Sequence, residues 1–199
     1  GQSGSLLEYV YLLTQDRTLK SRIASQIQLI REEISTGAID PQTLQFLYAC
    51  SVANAFESKI DAGVLFDALG VRDPTYLLKK LKDEYLIRLS DDDSYVIAIH
   101  PIRSSFIYEE IYDSSFNPLS KVIDVILKSI DDYDLEGFLL HLFVEFKKDT
   151  LNNIEAIKRN IPNTWTGFSA VSRALLWYDI SCHVHDSENL ITEARSFSG

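Results

Sequence analysis

Apolar residues recur at helical spacing along most of the chain. In residues 17–37 they repeat every three or four positions, which predicts an amphipathic helix. The members of this stripe are Leu19, Ile23, Ile27, Ile30 and Ile34. Gly37 and Pro41 are typical of the end of such a helix. The preceding segment LLEYVYLLTQ (residues 6–15) is apolar nearly all round, which is typical of a helix buried on several sides. Its packing partner is either this chain or a part of the protein outside it.

Residues 38–116 have a different order of elements. Three short apolar stripes at helical spacing come first, in residues 41–56, 61–71 and 73–87. The first stripe has Leu44, Leu47, Tyr48 and Val52 on one side, and the third has Leu77, Leu78, Leu81 and Tyr85. Gly70 is expected to end the second helix, and Asp73 with Pro74 to begin the third.

The periodicity then changes from helical to alternating. Residues 86–100, LIRLSDDDSYVIAIH, read as two strands around an aspartate-rich turn, and a helix resumes at Ile102. Three helices followed by a two-stranded hairpin is the order of the winged-helix form of the helix-turn-helix. The pattern therefore predicts a winged-helix domain at residues 38–116, after an N-terminal helical segment at residues 1–37.

From Pro118 onward the pattern predicts only helices, so residues 117–199 are expected to form a helical, repeat-like domain without a clear sequence period. Three stripes precede a long helix that begins at Asn163 or Thr164 and is apolar on two faces. A short final helix is expected in SENLITEARSF (residues 187–197). The stripes are Leu119, Val122, Ile123, Ile126 and Ile130; Leu135, Phe138, Leu139, Leu142 and Phe146; and Leu151, Ile154, Ile157 and Ile161. The predicted fold class is thus mainly α with a small β-hairpin.

Composition narrows the possible classes of protein. Hydrophobic residues make up 46% of the 199 residues, enough for a core, and no apolar run approaches the length of a membrane span. Cys50 and Cys182 lie in apolar helical contexts, which favours buried free thiols in a reducing compartment over a disulfide. No signal peptide is visible and the chain contains no methionine. We therefore expect a cytoplasmic protein without a membrane partner, of which this chain is a piece; GQSGS at its start is either a cloning remnant or a native loop.

Motifs for catalysis and metal binding are missing from the sequence. No glycine is followed by lysine, as a P-loop requires, and GFSAV lacks the second glycine of a nucleophile elbow. His141 and Glu145 lie four residues apart, which favours a hydrogen bond over a metal site because two ligands are too few. The CHVHD segment (residues 182–186) has no second cluster to complete a zinc site. We expect no enzyme activity, no metal and no cofactor within this chain.

A DNA-binding regulator with a helical effector domain is the alternative function. In a winged helix the third helix enters the major groove. Five basic residues belong to this candidate surface: Arg72, Lys79, Lys80, Lys82 and Arg88. Against it stand the net charge of −10 and the turn formed by Asp91, Asp92 and Asp93, which would lie close to phosphates.

The junction IHPIRSSF (residues 99–106) carries a resemblance to a known family. LLEYVYLLTQ, the winged helix, this junction and TWTGFSAVSRALLWYDI (residues 164–180) together resemble the bacterial STAND NTPases, signal-transducing ATPases with numerous domains. In that family a nucleotide-binding domain and a small helical domain precede the winged helix, and a sensor follows it. The winged helix packs over ADP in the resting form, and a histidine at the strand-to-helix junction faces the phosphates. Members often act in antiviral defence against phage.

The resemblance implies a role for two residues. His100 would be the residue that senses ADP, although Pro101 follows it where the family commonly has aspartate. Its alternative is a partly buried residue at a helix start. Arg103 would pair with a phosphate, or with Glu109 or Asp113 in an ion pair on the surface. The expected function is a non-catalytic regulatory piece of an ATP- and ADP-dependent switch for signal transduction. Its partners would be the nucleotide-binding domain of the parent chain and further copies that assemble on activation.

Overall fold

The structure is a computed structural model that describes the backbone of residues 4–112, 119, 122–146 and 150–179, and the side chains within these ranges from residue 19 on, except residues 150 and 151. These residues are mainly helical, with one small antiparallel sheet. The helices are α1 (Gly4–Ser35), α2 (Gln42–Ala55), α3 (Ala62–Leu69), α4 (Pro74–Asp83), α5 (Pro101–Ile111), α6 (Ile123–Ser129), α7 (Leu135–Glu145), α8 (Thr150–Arg159) and α9 (165–179). The strands are β1 (Ile60–Asp61), β2 (Arg88–Leu89) and β3 (Tyr95–Ile97).

The chain divides into two compact units, residues 1–130 and 131–199. The first contains α1 to α6 and the whole sheet, and the second contains α7 to α9. The finer division of the first unit at residues 37 and 116 stays a prediction.

Helix α1 is a single helix, where the sequence pattern predicts two. No glycine or proline lies between residues 5 and 35, so nothing in the sequence breaks the helix between the all-apolar and the amphipathic segments. Ile23, Ile27 and Ile30 are fully buried, as the predicted stripe requires. The helix ends as expected at Gly37, whose φ is +74°. The Ala38 N–H donates to the Glu33 carbonyl at 2.8 Å, which completes a Schellman motif.

Helix α2 is the centre of the first unit. The sequence predicts one apolar side, yet residues 46–54 are all buried. The reason is that α2 packs against α3, α5, α6 and two strands, which surround it. Phe46 stacks on Phe66 of α3, with ring centroids 4.8 Å apart. Cys50 is a buried free thiol, as predicted, and burial raises its pKa well above the usual value; Cys182 lies outside the described residues.

The end of α3 and the start of α4 follow the predicted residues, and α3 also has an N-cap that was not predicted. Asp61 accepts a hydrogen bond from the Val64 N–H at 2.9 Å, and Asp73 accepts one from the Tyr76 N–H at 2.9 Å. Gly70 ends α3 with a φ of +66°. Leu77 and Leu81 are buried, but Tyr85 is 68% exposed, so its assignment to the apolar side of the third helix was wrong. It follows the helix at a φ of +55°, which turns its side chain away from that side.

The sheet has the strand order β1–β3–β2 and all its pairs are antiparallel. Val96 in the central strand is fully buried and is paired with Ile60 on one side and Leu89 on the other. The β2–β3 hairpin corresponds to the predicted strands. Strand β1 was not predicted, because two residues are too few for an alternating pattern.

Beyond residue 118 the apolar stripes are buried to different degrees. The stripe from Leu119 to Ile130 is buried throughout, and Ile130 also forms an isolated bridge with Ile60. In α7 the stripe is buried up to Leu142, and Phe146 is only half-buried. For α8 the predicted stripe was wrong at one position, since Ile161 lies after the end of the helix and is exposed. Leu151 and the expected helix at residues 187–197 lie outside the described side chains.

Helix α9 begins at the predicted cap. The Thr164 hydroxyl accepts a hydrogen bond from the Gly167 N–H at 3.0 Å and donates one to Asp132. Its two apolar faces differ in exposure. One face is buried, with Ala170, Val171 and Ala174, and the other is open, with Trp165, Phe168 and Leu176. No described helix is long and apolar enough to cross a membrane.

Candidate functional site

His100 caps the N-terminus of α5. Its backbone is extended (φ −161°, ψ 135°), and its Nδ1 accepts a hydrogen bond from the Ile102 N–H at 3.3 Å. An accepting Nδ1 carries a lone pair, so the proton of the neutral imidazole is on Nε2. The side chain is exposed, which leaves this Nε2–H available as a donor. His100 lies at the helix start, as both predicted roles require, but it is not partly buried; its role as a phosphate sensor stays a prediction.

Arg103 lies one turn further along α5 and is held in place. Its Nε donates to the Tyr85 carbonyl at 3.0 Å. Burial, together with the positive charge of the nearby Arg22, lowers the pKa of the Arg103 guanidinium. The predicted ion pair with Glu109 is absent, because Glu109 pairs with Lys20 at 3.3 Å; Asp113 lies outside the described residues. Within the described part of the chain, no carboxylate neutralises Arg103.

Exposed apolar side chains border both residues. Ile99 and Ile102 are 39% and 44% exposed on either side of His100. Tyr85, whose carbonyl holds Arg103, is exposed too. We call Tyr85, Ile99, His100, Ile102 and Arg103 the His100 face. It combines an outward donor, a cation without a described carboxylate partner, and apolar surface.

The backbone beneath the His100 face is fixed by two side chains from different helices. Gln26 of α1 donates to the Glu84 carbonyl at 2.7 Å, next to the bond from Arg103 of α5 to the Tyr85 carbonyl. These two acceptors are carbonyls at the C-terminal end of α4, where helical carbonyls otherwise lack partners. The contacts therefore connect α1, α4 and α5 around one point. Tyr85 holds a left-handed conformation there, which is unfavourable for a residue other than glycine.

The five basic residues of the DNA alternative are not equivalent. Lys80 turns inward, with its Nζ 2.7 Å from a Glu33 oxygen and 3.0 Å from a Glu84 oxygen. Burial opposes the charge of Lys80, but its hydrogen bonds to both carboxylates outweigh this effect and raise its pKa. Lys80 is therefore unavailable to phosphates. The other four, which are Arg72, Lys79, Lys82 and Arg88, are exposed and form no ion pair with a described residue.

Two surface clefts lie outside the His100 face. One of about 570 Å³ lies between the end of α1 and the beginnings of α2 and α4, and Arg72 lines it. The other, of about 400 Å³, lies between α4 and the β2–β3 hairpin, and Lys79 and Lys82 line it. Three of the DNA candidates thus lie on two different clefts, and neither cleft is lined by Lys80 or Arg88.

Metal chemistry has little support in the described residues. No three of their histidine, cysteine, aspartate and glutamate side chains lie together as ligands would. His141 and Glu145 both lie on α7, and His141 is exposed. The CHVHD segment lies outside the described residues.

Comparison with known proteins adds no relative. No family model, no curated protein and no solved structure matches the chain. The site must therefore be interpreted from its own geometry. Sequence reasoning identified His100 and Arg103 but missed Tyr85, Gln26 and Arg22, since these come from other parts of the chain. The one available signal was the junction itself, where a strand, a histidine and a proline meet.

Proposed function

We propose that this chain is a non-catalytic regulatory part of a STAND-type NTPase switch. Residues 38–116 would act as a winged-helix domain that closes over a nucleotide-binding domain, and the helices after residue 117 would relay ligand sensing. The His100 face is the observation that carries the proposal, because it presents a phosphate-compatible donor inside an apolar surface. A surface of this kind is typical of an interface between domains.

The order of elements supports the winged-helix part of the proposal. Helix, short strand, two helices, hairpin and helix follow one another from α2 to α5, and β1 pairs with the hairpin. This order matches the winged-helix form of the helix-turn-helix. In that arrangement His100 lies three residues after the last residue of β3 and directly before α5, at the junction where the family has its histidine.

The chemistry of the first turn of α5 limits how a phosphate could be bound. Pro101 has no N–H, and the Ile102 N–H is already used by His100. A phosphate would therefore be held by the Nε2–H of His100 and by the free nitrogens of Arg103, with little help from the helix backbone. Because of Pro101, a bound phosphate would be contacted by side chains instead of main-chain N–H groups, and His100 would contribute more to its binding.

The helical second unit is consistent with a sensor or linker. Helix α9 has one buried and one open apolar face, and Trp165 on the open face is 82% exposed. Helices in stacked repeats use two faces in this way, one toward each neighbour. We propose that this unit belongs to a repeat-like region, in a protein of signal transduction or antiviral defence.

The residues encoded just before Gly1 test the proposal. A STAND-type protein requires a P-loop and an acidic strand for magnesium upstream of the winged helix. Finding both, with a small helical domain between them and Gly1, is the expected result. An upstream region without any nucleotide-binding motif would refute the proposal.

A DNA titration separates the proposal from the DNA-binding regulator. We expect the chain to bind duplex DNA weakly, with no steep dependence on salt, since Lys80 is engaged and the turn is acidic. Fluorescence anisotropy with a labelled duplex at several salt concentrations measures this. A matched variant, K79E/K82E, removes the two exposed lysines of α4. Tight binding at physiological salt that is lost in this variant would favour the DNA-binding class.

A further inference from the structure

The sequence has two short runs of like charge. In each run the fold binds the middle charge to neighbouring residues and leaves the outer two exposed. In the KKLK run of α4, Lys80 is bound to Glu33 and Glu84, whereas Lys79 and Lys82 are exposed and have no ion pair with a described residue. In the DDD run of the hairpin turn, Asp92 accepts hydrogen bonds from the Ser90 hydroxyl at 2.6 Å and the Ser94 N–H at 3.2 Å. Asp91 and Asp93 are exposed and make no such bond within the described part.

Three of these four free charges line one groove. The groove of about 400 Å³ between α4 and the hairpin is lined by Lys79, Lys82, Asp83 and Asp93, and Asp91 lies two residues before the last of these. Pro74, Leu78 and Leu89 give it an apolar floor. Lys79, Lys82 and Asp83 are on the α4 side, which is net positive, and Asp93 is on the hairpin side.

The opposite charges on the two sides do not neutralise each other. No lysine of the groove lies within ion-pair distance of an aspartate of the groove, although Lys80 nearby forms two such pairs. The hydrogen bonds to Asp92 also hold the turn in position, with the serines that accompany it lowering the pKa of Asp92 to about 2. Both sets of free charges are therefore presented on fixed elements, and each is available to a partner of opposite sign.

We infer that this groove is a self-docking surface for a second copy of the chain. A two-fold axis beside the groove makes residue i of one copy contact residue j of the other, and the reverse. Lys79 and Lys82 of each copy then face Asp91 and Asp93 of the other, while Leu78 and Leu89 supply the apolar contact between them. The same surface contains both halves of the charge pattern, which is what a symmetric interface requires.

Other occupants fit the groove less well. A nucleic-acid backbone would be attracted by the lysines but repelled by the aspartates of the turn. A purely acidic partner would meet the same repulsion, and a purely basic partner would be repelled by the lysines. Only a partner with both charges in the inverse arrangement satisfies both sides, and a second copy has them by symmetry.

Charge exchange tests the inference. Analytical ultracentrifugation of the chain at low salt is expected to show a reversible dimer that weakens as salt rises. The variants K79E/K82E and D91K/D93K are each expected to weaken dimerisation about tenfold or more, since four surface pairs are reversed in every dimer. An equimolar mixture of the two variants is expected to restore association, because each supplies the charge that the other lacks.

The control is K128E/K158E, which makes the same charge change on exposed lysines away from the groove. It is expected to dimerise like the parent chain, with all variants checked for helicity by circular dichroism. A chain that stays monomeric up to about 1 mM would overturn the inference. So would a mixture of the two variants that does not associate, or lysines that prove to bind duplex DNA instead. The inference does not depend on the proposed switch, since neither His100 nor a nucleotide enters these measurements.

Discussion

Single residues with a left-handed backbone end four consecutive helices of the first unit. Gly37 and Gly70 do so after α1 and α3, and Glu57 and Tyr85 after α2 and α4. In each case the next N–H donates to a carbonyl five residues earlier, as Ser58 does to Ala53 at 3.0 Å. Glycine adopts this conformation at little cost, whereas a residue with a Cβ is strained in it. The two non-glycine positions therefore hold strain that the rest of the fold imposes.

Glu57→Gly is expected to raise the free energy of unfolding by about 1 kcal/mol, because it removes that strain and Glu57 is exposed with no packing to lose. Urea unfolding followed by circular dichroism measures the change. Gly70→Ala is the reverse control. Nothing lies within 4 Å of an added Cβ there, so the loss of about 1 kcal/mol that we expect comes from the backbone alone. Equal stability of all three proteins would contradict this account of the helix ends.

These ends also show what the sequence can predict at the scale of a residue. Gly37 and Gly70 were recognisable as helix ends, because glycine is the usual residue at that position. Glu57 and Tyr85 carry no such signal, and their conformation follows from the contacts made by the residues after them. The error on Tyr85 mattered for the site, since its carbonyl fixes Arg103 and its ring belongs to the His100 face.

At the scale of an element, α9 depends on how its first turn meets the loop before it. Thr164 caps the helix and bonds to Asp132, and Gly167 lies directly against both Pro162 and Asp132. A Cβ at Gly167 would be 2.5 Å from the Pro162 Cβ, a distance that real structures do not allow. The absence of a side chain at this position therefore determines how α9 packs.

Gly167→Ala is expected to lower the free energy of unfolding by about 1–3 kcal/mol, because Pro162 must move to admit the new methyl group. Gly137→Ala in α7 is the matched control. It meets no atom within 4 Å and should raise stability by roughly 0.5–1 kcal/mol through helix propensity. Thermal and urea unfolding of both variants measure the difference. A Gly167→Ala protein as stable as the parent would show that this close approach does not constrain α9.

Elements were predictable to the extent that their pattern is local. The caps at Asp61, Asp73 and Thr164 hold their helices through bonds within three residues, and two of these helix starts were predicted from the sequence. Strand β1 has two residues and exists only because β3 pairs with it. Helix α2 is likewise buried on all sides because other elements pack around it, and these elements cannot be predicted from the sequence of α2 itself.

On the scale of the whole molecule, the His100 face and the surface of α4 differ in how their positive charges are neutralised. The net charge is −10, yet the His100 face presents Arg103 with Arg22 close by and no described carboxylate that neutralises Arg103. On α4, Lys80 is neutralised by Glu33 and Glu84, and Asp83 and Asp93 line the same groove as Lys79 and Lys82, so the basic residues do not form a continuous positive field. This distribution favours a local anion at the His100 face over a long polyanion on α4.

The candidate site was predictable only in part. The strand-to-helix junction identified His100, because a histidine before a proline at such a junction can be recognised from the amino-acid sequence alone. Gln26, Arg22 and Tyr85 come from other parts of the chain and meet it only through the packing of α1, α4 and α5. The surface around a residue is a property of the fold, and the sequence pattern does not contain it.

The dissociation rate of ADP tests the proposed function most directly. It would be measured by displacement of a fluorescent ADP from the parent protein, in which the proposal places a nucleotide-binding domain ahead of these 199 residues, with and without His100→Ala. Tyr76→Ala is the control, since Tyr76 is exposed but lies on the larger cleft instead of the His100 face. We predict faster release of ADP for His100→Ala alone, together with higher basal activity. An unchanged rate would contradict the proposal that His100 closes on the nucleotide.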